Sequence, residues 1–159
     1  MGCYSQLDPN TVSEKLGADI VIGTNNRSKI YDLIMQFVES KKKINLVDSK
    51  KYQVFEELCL NKLSLHTRGF IKTQDGCENF CSYCAIPYSR GPIKSRNPES
   101  VINEVSSLVD SGVKEIILSG INTGTYGKDL GSINLAKLIE KIIVFALVIV
   151  SIIPLSLKI

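Results

Sequence analysis

The 159-residue chain is short of several things that would each point to a different kind of protein. It has a single histidine, His66. An acid–base role is open to that imidazole, but its place just before Thr67-Arg68 reads as a connecting segment. It has no secretory signal at its start, because Met1–Gln6 offers neither a basic region nor an apolar core. Its Met1-Gly2 start lacks the Ser or Thr at position 6 that myristoylation asks for. A strong charge imbalance is missing too. The net charge of +3 is compatible with an RNA partner without demanding one. The cysteine count, five, is odd, and three of the five sit close together. That argues against a disulfide framework and for a reducing compartment, so cytoplasm is the expected location. Finally, no apolar run reaches the roughly 20 residues of a membrane helix. Residues 142–157 come nearest, with Lys141 and Lys158 flanking them, but Ser151, Pro154 and Ser156 interrupt the run. A buried strand near 147–152 is the expected reading.

What is present fits a globular protein, with 44% hydrophobic and 22% charged residues. Its centre is the stretch from Arg68 to Arg96. Phe70-Ile71 leads into an Asp75-Gly76 turn signal, and Cys77, Cys81 and Cys84 follow with the spacing C-x3-C-x2-C. The cysteines are thus expected on a loop just after a strand. A structural zinc site wants a closed set of four ligands. The upstream candidates for a fourth, Cys59 and His66, lack the paired knuckle spacing. An iron–sulfur cube accepts cysteine thiolates readily, and three of them would leave one iron open to a substrate or cofactor. Spacing alone leaves three readings: an open cluster, a zinc site, and cysteines that merely fall together.

Along the chain, residues 18–23 read as a short buried strand ending at Gly23. After Asn25-Asn26 a helix follows with Ile30, Leu33, Ile34, Phe37 and Val38 on one face. This strand–helix unit of an α/β layer buries too little to stand alone. Lys41–Lys43 and Lys50-Lys51 bracket a polar stretch read as a linker, either a solvated face or a phosphate-contacting patch. Past the cysteines, Asn97 and Pro98 are suited to start a helix over 98–111, with Val101, Ile102, Val105, Leu108 and Val109 inward and Gly112 as the stop. Strands at 69–74 and 115–119 on either side complete a βαβ unit with a parallel sheet and right-handed crossover. A further helix starts near Asn134, with Leu135, Leu138, Ile139, Ile142 and Ile143 facing inward. The class is α/β, the opening of a parallel barrel, with the cysteine loop at the C-terminal end of its first strand, where such folds place their sites.

The string TQDGCENFCSYCAIPYSRGPIKSR, with aromatic Tyr83 before the last cysteine, resembles the radical S-adenosylmethionine tRNA methylthiotransferases. GINTGTYGKDL, residues 120–130, is most similar to the branch acting on threonylcarbamoyladenosine at tRNA position 37. The isopentenyladenosine branch usually has Gln-Asn at Ile121-Asn122. The resemblance implies residues 1–45 as the C-terminal part of an N-terminal α/β methylthiotransferase domain, 46–67 as a linker, and 68–159 as the first βα units of a radical SAM partial TIM-type barrel. It implies that Cys77, Cys81 and Cys84 ligate a [4Fe-4S] cluster. S-adenosylmethionine at the fourth iron would be cleaved to a radical that activates an adenine carbon for methylthiolation. Tyr83, Gly120 and Asn122 are the implied cofactor-binding residues, although a tight strand-to-loop turn explains Gly120 and Asn122 as well. No side chain is singled out as catalytic.

The segment Gly2-Cys3-Tyr4-Ser5-Gln6 resembles the family's GCYxQ, which makes Cys3 the third ligand of an auxiliary [4Fe-4S] cluster. The other two ligands have no counterpart in this sequence. Cys59, where the family often has proline, is expected to be structural. Arg68, Arg90, Lys94 and Arg96 surround the cysteine loop as candidate phosphate partners. The partners implied are tRNA and an electron donor such as flavodoxin or ferredoxin, with a monomer and no membrane expected. The chain looks truncated at both ends and inactive alone. Ser151-Ile152-Ile153-Pro154 keeps the outline of a family pattern without its charge, as a diverged or frameshifted tail would. A different class, a non-catalytic zinc- or RNA-binding module, is the competing reading.

Overall fold

The structure, a computed structural model, describes residues 1–47, 54–58, 67–145 and 149–154. Lys50, Lys51, Cys59 and His66 lie outside the described residues, so the expectations placed on them are not addressed. The chain forms two compact units: Met1–Glu56 with Glu78–Gly91, and Glu57–Cys77 with Pro92–Ile159.

In the first unit, strand β1 (Ile20–Ile22) pairs in parallel with β2 (Ile44–Leu46), Ile20 opposite Ile44 and Ile22 opposite Leu46. Helix α2 (Ile30–Ser40) is the crossover between them. Val21 and Ile22 are buried, as the short apolar run requires. The pairing corrects the sequence reading in one respect. The stretch taken as the start of a linker carries β2, a strand whose three residues have too weak a pattern to stand out without their partner. The helix forms where its 3.6-residue period puts it, yet of the expected apolar face only Leu33 is buried, while Ile30, Ile34 and Val38 are exposed. A two-stranded sheet is too narrow to cover that stripe. Helix α1 (Cys3–Leu7) packs against α3 (Ile86–Arg90), which is why residues 78–91 group with the N-terminal part of the chain.

The second unit holds a four-stranded sheet. Its strands are β3 (Arg68–Asp75), β4 (Lys94–Ser95), β5 (Glu115–Gly120) and β6 (Ile149–Pro154), in the order β4-β3-β5-β6. The β3–β5 and β5–β6 pairs are parallel, and β4 runs antiparallel on the outer edge of β3. Helix α4 (Pro98–Asp110) joins the β3 and β4 side to β5, and α5 (Leu135–Phe145) leads to β6. Both ends of α4 are fixed locally. Asn97 accepts the Glu99 N–H at 2.8 Å. At the other end Gly112, with φ 93°, donates to Val109 O while Val113 donates to Leu108 O, the paired bonds of a Schellman stop. Ile71, Val101, Val105, Leu108, Ile116, Leu118, Leu138 and Ile142 make one apolar core between helices and sheet. Ile143, expected inward, is half exposed at the last turn of α5. Among the described residues no helix is long and apolar enough to cross a membrane. Of the apolar tail, residues 142–145 finish α5 and 149–154 form β6.

Candidate cofactor site

Parallel strands leave their C-terminal ends at one edge of the sheet, and in the second unit β3 and β5 bring two loops there. β3 closes on Gln74 and Asp75, and Gly76 and Cys77 follow directly. β5 closes on Gly120, followed by Ile121 and Asn122. Gln74 is fully buried and ties the two ends together. Its amide nitrogen donates to Asp75 O at 2.8 Å and to Gly76 O at 2.7 Å. Its amide oxygen accepts the Asn122 N–H at 2.9 Å. The opposite amide orientation would set oxygen against two carbonyls, so the network itself fixes which end is which. Gly120 makes room for this side chain: a β-carbon there would stand 3.0 Å from Gln74 Cβ and Oε1 and 3.1 Å from its backbone oxygen. Asp75 is held as well, through an ion pair with Lys72 and the Gly76 N–H at 2.8 Å.

The division between the units falls just after Cys77, so the three motif cysteines are placed separately. Cys77, half-buried, continues from β3. In the first unit Cys84 donates its backbone N–H to Cys81 O at 2.9 Å, which puts Cys81 and Cys84 on one tight turn. Tyr83, between them, is exposed, as are Phe80 and Tyr88, whose rings meet edge to face with centroids 5.6 Å apart. Cys3 opens α1 and is half-buried. All four thiols are free of disulfides.

This donor set suits an iron–sulfur group. Thiolates are its usual ligands, and the loop bearing Cys77 leaves the sheet at the edge where parallel folds bind cofactors. Among the described residues no three His, Cys, Asp or Glu side chains converge as a single metal ion requires.

Of the four cations near the motif, Arg96 departs most from the sequence reading. It is almost wholly buried, ion-paired with Glu104 and with Glu57 at 2.6 Å, and bonded to Ser100. Burial alone would lower its pKa, but the hydrogen bonds and charges of Glu104 and Glu57 outweigh that and hold it above the ordinary value. It is a structural ion, not a phosphate contact. Arg68 pairs with Glu115 at 2.6 Å on the sheet's opposite end, and Lys94 is buried in β4. Arg90 is half-buried at the end of α3. Tyr126 donates its hydroxyl to Arg96 O at 2.8 Å, while Asp129 accepts from the Ser95 backbone N–H at 2.8 Å. These bonds tie β4 and the residue after it to the loop that follows β5. No local pattern announces them, because each joins residues thirty positions apart or more.

The description of the radical SAM superfamily matches residues 71–157, which is more than half of the chain and contains this edge. The chain belongs to that superfamily. It is 44% identical over 142 residues to a threonylcarbamoyladenosine tRNA methylthiotransferase of Bacillus subtilis, covering 89% of this chain and 32% of that protein. To the protein of the same name from Thermotoga maritima it is 38% identical over 144 residues, covering 89% and 32%. To a tRNA-2-methylthio-N(6)-dimethylallyladenosine synthase of Clostridioides difficile it is 36% identical over 146 residues, covering 89% and 30%. The chain thus spans about a third of the length of these curated relatives.

Proposed function

We propose that this chain carries the cluster and cofactor site of a radical SAM tRNA methylthiotransferase. The observation that carries the reading is Cys77, a free thiol at the C-terminal edge of a parallel sheet within the matched region, opening the C-x3-C-x2-C motif. Cys77, Cys81 and Cys84 would hold a [4Fe-4S] cluster. When bound, the cluster and S-adenosylmethionine supply reductive cleavage of the sulfonium to a carbon-centred radical. The chain's own contribution is binding and orientation. Gly120 and Asn122 lie at the same edge as Cys77, and exposed Tyr83, between Cys81 and Cys84 in sequence, offers a ring face. Cys3 would be a ligand of a second cluster, whose other ligands are not in the sequence given.

The substrate is proposed to be N6-threonylcarbamoyladenosine at tRNA position 37. The 44% identity to a relative of that name and the GTYGKDL stretch favour it over the dimethylallyl branch. An electron donor of the flavodoxin or ferredoxin type, a monomeric state and a cytoplasmic location go with the reading. The chain is expected to load the cluster and bind S-adenosylmethionine.

Anaerobic reconstitution with iron and sulfide tests the site. The expected product is brown, with a broad charge-transfer band that Cys81→Ala removes and Cys3→Ala leaves in place. A colourless protein that instead binds zinc tightly would establish the competing zinc-module reading.

A further inference from the structure

Gln74 spends every hydrogen-bonding group it has on the sheet edge: two donors on the backbone that runs into Cys77, and its acceptor on the backbone of Asn122. It is fully buried, so water competes for none of these bonds. The two loops so joined come from different strands, 48 residues apart in sequence. Gly120, the last residue of β5, leaves open the space that the side chain fills.

We propose that Gln74 is a positioning residue, which sets the spacing between the loop that roots the cluster and the loop that receives S-adenosylmethionine. The proposal rests on the site reading above. It goes beyond it by assigning the register between the two loops to one side chain that touches neither group. A ligand that must reach an iron and the β5 loop at once binds well only if both are already at the right separation. Loss of the Gln74 bonds would leave each loop present and the distance between them free.

The test uses the whole chain, reconstituted anaerobically with iron and sulfide, as wild type, Gln74→Met and Gln74→Glu. Met keeps the length and removes all three bonds. Glu keeps the acceptor toward Asn122 but sets oxygen against the Asp75 and Gly76 carbonyls. Each protein is titrated with S-adenosylmethionine while the electron paramagnetic resonance signal of the reduced cluster is followed. Iron content and the urea midpoint are measured alongside. The expected result is wild-type iron content in at least one variant, with half-saturation by S-adenosylmethionine raised about tenfold or more. A lowered urea midpoint with unchanged half-saturation would make Gln74 a stability residue only and overturn the proposal. Failure of both variants to load iron would overturn it too, since Gln74 would then serve folding. A wild-type protein whose signal ignores S-adenosylmethionine would defeat the site reading itself, and the proposal with it.

Discussion

The guanidinium of Arg96 and the carboxylate of Glu104 meet in the interior of the second unit, where their side chains are 2% and 5% exposed. A buried pair of this kind adds little net stability over an apolar pair of equal volume, but removing one half leaves the other's charge buried with fewer partners. Arg96→Leu, which takes the ion pair from the buried Glu104 carboxylate, is therefore expected to cost up to about 3–5 kcal/mol of unfolding free energy, and Glu104→Leu less, because Arg96 keeps Glu57 and Ser100. Arg96→Leu combined with Glu104→Leu should recover most of it, because Glu57, the other ion-pair partner of Arg96, is 42% exposed and can turn to water. Urea unfolding of the three proteins checks this.

At the other end of the sheet Glu115 joins three strands. Its carboxylate accepts from Ser151 of β6 at 2.8 Å and pairs with Arg68 of β3. The Ser151 hydrogen bond, then the Arg68 interactions, hold its pKa below the ordinary 4.5. The folded state thus releases this proton more readily than the unfolded chain does. The contribution is complete above the unfolded pKa and disappears as pH falls through the lower, folded one. Compared with Glu115→Gln, the wild type should be more stable at neutral pH by a constant margin that closes only in acid. Urea midpoints across that range, with β6 followed by amide exchange, measure it.

Tyr126 is pinned by its bond to Arg96 O, and burial, then the nearby Asp129 charge, push its phenol pKa up to about 12. Tyr126→Phe should cost about 1–3 kcal/mol by leaving the buried carbonyl without its donor. In the wild type the folded state keeps the phenol proton longer than the unfolded chain, whose tyrosine titrates near 10. This contribution is therefore whole below pH 10 and lost as pH rises toward 12. Alkaline titration of tyrosinate absorbance in wild type and Tyr126→Phe separates this phenol from the others.

The elements that could be read in advance are those whose causes are local. α4 was legible almost to the residue because Asn97, Pro98 and Gly112 act within one turn of its ends. β5 was legible because a strand covered on both faces is continuously apolar. β4 was not, since two residues become a strand only when Gln74 and Asp75 face them across the sheet. Arg96 looked like a free cation for the same reason: Glu57 lies 39 positions away, and sequence order gives no hint that they meet. The placement of Cys77 just after β3 and of Gly120 and Asn122 at the end of β5 could be read from strand order. Gln74 could not, although a signal was there: a long amide just before an Asp-Gly turn, with a glycine closing the next strand.

The first unit repeats this arrangement on a smaller scale. Gln6, three residues past Cys3, is buried, and its amide oxygen accepts from the Thr24 N–H at 2.9 Å. A β-carbon on Gly23, just after β1, would fall 1.9 Å from that oxygen. Each cysteine-bearing segment thus leans on a glutamine that a strand-end glycine has to admit. A side chain added at position 23 or 120 would therefore press first on the glutamine beside it, and through that glutamine on the segment that carries Cys3 or Cys77.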